Sequence, residues 1–295
     1  MRRAEEALSA ISAMCWPSKY ISEVFTELTC SIGPRLAGSP PEEKARNDIA
    51  RRIANLGLRS RKQEFSIHAW IPSSSVVEVE GRVLGAEALG YSPSGCFEGE
   101  AVFIGRGADE TEYRDIDLSG RAALVVEGGK HRSEKYKLAV KRGASAFIQI
   151  TSEPGIGPRI GAISDEPAPI PAVSLSYEDG MFVSRRVTYG SVVRLEVSAE
   201  VRRVSLANVI GVLPGSSDER VLITAHYDSW HISPGAYDNA SGVSVLLEVA
   251  RILSQLDNEL TVEFVAFTAE ELGLLGSRHY VSSEDASRVK YVVNL

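Results

Sequence analysis

Five side chains in the second half of the chain have the types and spacing of a metal-assisted hydrolytic site. His226 and Asp228 flank Tyr227 just after the apolar run Val221–Thr224. Asp238 opens Asp238-Asn239-Ala240-Ser241-Gly242 after a turn-rich loop, and the adjacent Glu270 and Glu271 follow the run Val262–Phe267. A zinc ion takes imidazole nitrogen and carboxylate oxygen in a roughly tetrahedral arrangement, with one position left open for water. A carboxylate has two oxygens and can bridge two ions about 3.5–4 Å apart. His226 is then the natural first ligand, and Asp228 is the partner that holds the imidazole tautomer through its other ring nitrogen. Asp238 lies among small residues, where a bridging carboxylate can approach closely. Consecutive residues at a strand end point to opposite sides. Of Glu270 and Glu271, one is therefore expected on the metal and the other facing the water as general base.

The apolar pattern shows which elements must carry these groups. Short apolar, β-branched runs bounded by Gly, Asp and Pro read as buried strands, and their alternation with amphipathic segments reads as α/β units. Ala207–Leu213 starts the main sheet, and a short hairpin is expected to lead from it into the strand that delivers His226. Val243–Leu256 reads as a helix capped by Ser241 or Asn239, with Val245, Leu246, Val249 and Leu253 facing the sheet. Leu260–Phe267 is the next strand, Leu272–Tyr280 a glycine-containing helix, and Lys290–Leu295 the last strand. Open α/β sheets place polar groups of this kind in the crevice outside the carboxyl ends of their strands. Capping or solvation would explain one such acid. It does not explain four beside a histidine.

The combination HxD, DNxSG and EE, in this order, resembles the two-zinc exopeptidase family that includes bacterial secreted aminopeptidases, glutamate carboxypeptidase II and the transferrin receptor ectodomain. The resemblance implies that His226 ligates the first zinc, Asp228 orients it, Asp238 bridges both ions, Glu270 is the catalytic base and Glu271 ligates the second zinc. The family pattern also has an aspartate just after a strand reading like Tyr291-Val292-Val293-Asn294-Leu295, and a histidine much later. Here Leu295 is the last residue, so each presumed zinc keeps the bridge and one private ligand. The expectation is an N-terminal portion of an enzyme, inactive as the 295-residue chain, with an exposed sheet edge through which it self-associates.

Upstream, Glu5–Met14 and Tyr20–Thr29 read as helices, and the loop Ile32–Ser39 leads into a helix over Pro41–Leu56. Glu42 and Glu43 at its start and Arg51 and Arg52 near its end suit the helix dipole. Ala45, Ile49, Ile53 and Leu56 form its apolar face, and Gly57 stops it. The GPRLAGS loop is similar to the opening of the family's catalytic domain, and Arg35 is expected to close that loop over the sheet. Leu58–Ile71 reads as extended. Val76–Val83, Ala101–Ile104, Ala122–Val126, Ala146–Ile150 and Ile170–Leu175 read as strands, with helices at Arg132–Arg142 and Tyr177–Arg185. The stretches Leu118–Val126, Lys135–Ile150 and Ile170–Gly180 resemble the protease-associated domain, a β-rich module inserted early in the catalytic domain of larger family members. The resemblance therefore implies an α/β fold: a three-layer zinc-exopeptidase sheet, incomplete at the C-terminus, carrying an inserted β-rich domain. The expected boundaries are 1–66 for the first catalytic piece, 67–199 for the insertion and 200–295 for the second catalytic piece.

Composition is that of an ordinary globular chain, 44% hydrophobic and 24% charged. A net charge of -7 without any dense Lys/Arg tract argues against a nucleic-acid binder. Cys15, Cys30 and Cys96 form no disulfide framework and read as buried free thiols. His68, His131, His231 and His279 match no ligand position of the pattern and read as packing, loop or helix-surface residues. The N-terminus has no apolar stretch typical of a signal peptide, and no run approaches the length of a membrane span, so a cytoplasmic location is expected. The functional expectation is a zinc-dependent exopeptidase, aminopeptidase before carboxypeptidase, acting on a peptide or small amide. A transferrin-receptor-like binding relative, an inactive remnant and a one-zinc glutaminyl cyclase are the other readings.

Overall fold

The computed structural model describes residues 2–15 and 18–295, and the side chains of all of these except 2–7 and 10. Met1, Trp16 and Pro17 lie outside the described residues. The chain divides into two compact units, Met1–Ile67 with Val204–Leu295, and His68–Arg203. It passes from one to the other inside two long strands.

The first helices are α1 (Arg2–Cys15), α2 (Tyr20–Thr26) and α3 (Pro40–Asn55), and α2 runs on into a π-helical turn over Glu27–Ile32. Ser39 caps α3, its hydroxyl accepting from the Glu42 N–H at 3.4 Å, and prolines occupy the first turn, where no backbone N–H is needed. Gly57, at φ 78, ends it. The strands β1 (Arg59–Val79), β2 (Arg82–Ala88), β3 (Gly95–Gly105) and β4 (Ala122–Val126) follow, then α4 (Arg132–Lys141), β5 (Ala146–Ile150), β6 (Ala172–Leu175) and α5 (Tyr177–Thr188). The chain returns through β7 (Val192–Leu213) to β8 (Ser217–His226), α6 (Ser241–Leu253), β9 (Leu260–Phe267), α7 (Leu275–Ser283) and β10 (Val289–Asn294).

In the second unit the strands run in the order β1-β2-β6-β5-β4-β3-β7, with β3 to β6 parallel. Its core joins Ala123, Val125, Phe147 and Ala172 of the strands to Tyr136 and Ala139 of α4. Val76–Val83, expected as one strand, is a hairpin. Glu80 (φ 53) and Gly81 (φ 76) turn the chain, and Val79 pairs with Arg82. Two left-handed residues are what a tight hairpin turn requires.

The sheet of the first unit has the order β7-β9-β8-β10. Alternation sorts its residues into two faces. Val209, Ile223, Ala225, Phe264 and Ala266 meet Val24 of α2, Ile49 and Ile53 of α3 and Val243, Leu246, Leu247 and Ala250 of α6. Ile210, Leu222, Val265 and Phe267 meet Tyr280 of α7 on the opposite face. The result is helices, sheet, helix: an α/β arrangement in three layers. The apolar stripe of α6 is thus centred on Val243, Leu246, Leu247 and Ala250, whereas Val245 is only partly buried and Val249 and Leu253 flank the core.

Three expectations are corrected here. No hairpin joins β7 to β8, because β9 inserts between them, antiparallel to β7 and parallel to β8. The connecting turn bonds to the chain leading into β9 instead: Ser216 N and Ser217 N donate to the Asn258 and Glu259 carbonyls. The helix expected from Leu272 begins at Leu275, since Ala269 (φ 54) and Leu274 (φ 61) are left-handed. Cys15, Cys30 and Cys96 are free but exposed. Cys96 illustrates why: its neighbour Phe97 takes the inward position on β3 and leaves it facing out.

β10 pairs parallel with β8, and its Tyr291, Val292 and Val293 are exposed. Among the described residues no helix is long and apolar enough to cross a membrane.

Candidate active site

β8 and β9 are neighbours in parallel, and His226 pairs with Phe267 in register, so their carboxyl ends coincide. His226 ends β8, and the two segments that leave these ends carry Asp228, Asp238, Glu270 and Glu271. His226 Nε2 lies 2.8 Å from Asp238 Oδ1 and 3.9 Å from Glu270 Oε2. Its Nδ1 faces Asp228, 3.2 Å from the backbone carbonyl and 3.5 Å from the carboxylate. Asp228 is fully buried, and its carboxylate does more than face the ring. Oδ1 accepts from the Glu270 N–H at 3.1 Å and Oδ2 from the Glu271 N–H at 3.2 Å. Glu271 is therefore brought in through its backbone. Asp238 is mostly exposed, and the Asp238–Asn239 peptide is cis.

Neighbouring side chains fix the loop after β8. Asn239 Oδ1 accepts from the Gly242 N–H in the first turn of α6 at 3.0 Å, and its amide donates to the Leu295 carbonyl at 2.9 Å. Arg35 is fully buried and donates to the carbonyls of Leu28, Gly33, Tyr227, Pro234 and Gly235 at 2.7–3.2 Å. Its own N–H donates to Ser229 Oγ, and Ser229 N–H donates back to the Arg35 carbonyl. Through all three of its nitrogens, this guanidinium staples the loop after β8 to the Leu28 and Gly33 carbonyls. Burial lowers its pKa to about 10, against the opposing pull of Asp228 and Glu271.

The electrostatics are those of crowded acids around one imidazole. Burial alone would lower the His226 pKa, but the Asp228 carboxylate, with Glu270 and Glu271 behind it, lifts it to about 9. Burial, reinforced by Asp228 and Asp238, pushes the Glu271 carboxyl up to about 8. Burial raises Glu270 as well, opposed by His226. One imidazolium leaves these four acids with a net negative charge, and a divalent cation would offset more of it. Imidazole with carboxylates is zinc chemistry, so the donors fit such an ion in kind. They do not make a closed set. Among the described residues no three His, Cys, Asp or Glu side chains group as a metal site.

Two other histidines are engaged elsewhere. His279 on α7 stacks on Phe65 at 4.8 Å between ring centroids, and His131 caps α4 by accepting from the Ser133 N–H. The residue missed by sequence reasoning is Glu42. It is 1% exposed, and its Oε1 lies 2.6 Å from the Tyr227 hydroxyl and 3.0 Å from the Thr268 hydroxyl. Its place in the first turn of α3 made it look like a dipole-matched surface acid. The available signal was the company it keeps: three apolar positions of α3 pack inward at Ala45, Ile49 and Ile53, and Glu42 precedes Ala45 on the same face by one helical turn.

The profile of Peptidase family M28 matches residues 208–295, and that of the PA domain matches residues 71–181. The crystal structure of BSAP, a zinc aminopeptidase from Bacillus subtilis, superposes with a TM-score of 0.80 at 31% identity, over 93% of this chain and 68% of that one. The chain belongs to peptidase family M28. Aminopeptidase YwaD of Bacillus subtilis is 33% identical to this M28 chain over 277 residues, 92% of this chain and 59% of the relative. The chain thus spans little more than half of that relative's length. A Peptidase M28 precursor from Shewanella amazonensis shares the fold, with a TM-score of 0.83 at 23% identity over 98% of this chain and 72% of that one. Within this M28 chain the PA-domain match falls inside the His68–Arg203 unit and the peptidase match inside the unit that holds His226, Asp228, Asp238, Glu270 and Glu271.

Proposed function

We propose that this chain carries the site of a zinc-dependent aminopeptidase that hydrolyses the amino-terminal peptide bond of a peptide or small amide. The observation that carries the reading is the convergence of His226, Asp238 and Glu270 at the coincident ends of β8 and β9, with Asp228 fixing both the ring and the acidic pair. His226, Asp238 and Glu271 would hold the metal. A zinc ion bound there supplies Lewis-acid polarisation of the scissile carbonyl and of water. Glu270, partly exposed and with a raised pKa, is placed to take a proton from water and return it to the leaving amine. Asp228 keeps Nδ1 of His226 engaged, which leaves Nε2 directed at Asp238 and the metal position. The aminopeptidase names and titles of the relatives support the choice of substrate end.

The test is hydrolysis of an aminoacyl p-nitroanilide by the purified protein with added zinc, with a chelator control. His226→Ala should weaken zinc binding, and any hydrolysis should be zinc-dependent and absent in Glu270→Gln. Zinc binding that is indifferent to His226→Ala would remove the reading.

A further inference from the structure

The Glu42 contacts can be counted in hydrogens. Glu42 Oε1 lies 2.6 Å from Tyr227 Oη and 3.0 Å from Thr268 Oγ1, and Tyr227 Oη lies 2.8 Å from the Ala207 carbonyl oxygen. Three oxygen–oxygen contacts at hydrogen-bond length need a hydrogen each. Tyr227 and Thr268 own one apiece, and a carbonyl owns none. An ionised Glu42 leaves the cluster one hydrogen short, with two acceptors pressed together where water does not reach. A neutral Glu42 completes it: the carboxylic acid donates to Tyr227, Tyr227 donates to Ala207, and Thr268 donates to Glu42. Arg46 does not supply the deficit, since its Nη1 stands 4.0 Å from Glu42 Oε2.

The anchored residues are the strand ends of the site. Tyr227 sits between His226 and Asp228, and Thr268 sits two residues before Glu270. We infer that Glu42 is a protonated carboxylic acid in the folded protein and a positioning residue, tying the ends of β8 and β9 to α3 so that His226 and the acidic pair keep their places. Burial, the main influence on this carboxyl, raises its pKa and agrees with the neutral form. The positioning half of the inference rests on the proposed site, whereas the protonation half stands without it.

The decisive measurement is the infrared difference between wild type and Glu42→Gln at neutral pH. A carbonyl stretch of a protonated carboxylic acid should be present in the wild type and lost in the variant; its absence from the difference spectrum overturns the inference. The amide introduced by Glu42→Gln can replace the acid as donor to Tyr227, so the His226 ring signals in nitrogen-15 NMR of the metal-free protein should stay in place. In Glu42→Ala they should move. Ring signals unmoved in the alanine variant, or displaced equally in the glutamine variant, overturn the positioning role whatever the zinc and peptidase assays show. Should the alanine variant not fold, Thr268→Val removes one arm of the cluster and serves the same comparison.

Discussion

The carboxylate of Asp228 accepts a hydrogen bond from the backbone N–H of Glu271, 43 positions further along the chain, while its other oxygen holds the N–H of Glu270. One buried side chain at the end of β8 thereby sets the backbone at the end of β9. Asp228→Asn replaces one of these acceptors with an amide donor and faces it with an N–H. We expect it to cost about 1–3 kcal/mol of stability and to weaken metal binding by roughly 10–100-fold. Thermal melts and a cobalt titration read the two effects separately, and a variant that melts and binds as wild type contradicts the arrangement.

Arg35→Met leaves the five backbone carbonyls that the guanidinium satisfies without that partner. The expected loss is at least about 3 kcal/mol. Arg35→Lys should fall between, because an ammonium offers three donors from one nitrogen where the guanidinium reaches five carbonyls from three nitrogens. Denaturant midpoints of the three proteins give the order, and lysine equal to arginine would contradict the staple.

The metal-free protein should lose stability as pH rises. His226 has a folded pKa of about 9 against an ordinary 6.5, so its contribution is fully present below 6.5 and is lost as pH rises through 9. Glu271, at about 8 against 4.5, acts in the same direction, because the fold favours its neutral form and ionisation above 4.5 counts against folding. The melting temperature with chelator present should decline between pH 6.5 and 9. The decline should be shallower in Glu271→Gln, and a flat wild-type profile contradicts the assignment.

Gly276→Ala places a methyl group 2.2 Å from the Thr268 carbonyl oxygen and 2.6 Å from Asn208 Oδ1. Asn208 donates to Gln63 and to the Gly276 carbonyl and accepts from Thr268 N–H, so α7 has little room to retreat. A loss of about 1–3 kcal/mol is expected. A melting temperature equal to wild type would show that the contact is not close in solution.

Much of this was legible in the sequence because it rests on local rules. The apolar runs gave β4 and β5 with the observed bounds, and glycine at 57 and 143 marked the ends of α3 and α4. The five candidate site residues could be picked out because they stand at a strand end or at the start of the following helix. What was not legible depends on partners distant in the chain. Nothing near Pro214-Gly215 announces that β9 will come between β7 and β8. The turn at Glu80-Gly81 was lost inside an otherwise strand-like run, since Glu at a left-handed position carries no turn signal of its own. Glu42 suits the dipole of α3 as expected, but its burial was not legible, because helix position alone does not say which acids face the core. The exposure of Cys96 runs against the general preference of cysteine for burial because alternation with Phe97 decides there.

β8 finds both of its neighbours, β9 and β10, later in the chain than itself. A polypeptide leaving the ribosome therefore presents His226 on a strand with no sheet partner until Leu260 and the residues after it have followed. The helix α3, with Glu42 on its first turn, can form by local contacts well before that. Because loop closure must precede parallel pairing, the histidine and the acidic pair meet among the later events of folding. A stall in synthesis before residue 260 would leave a chain with the staple arginine and the cap of α3 in hand, and no sheet partner for the strand that ends in His226.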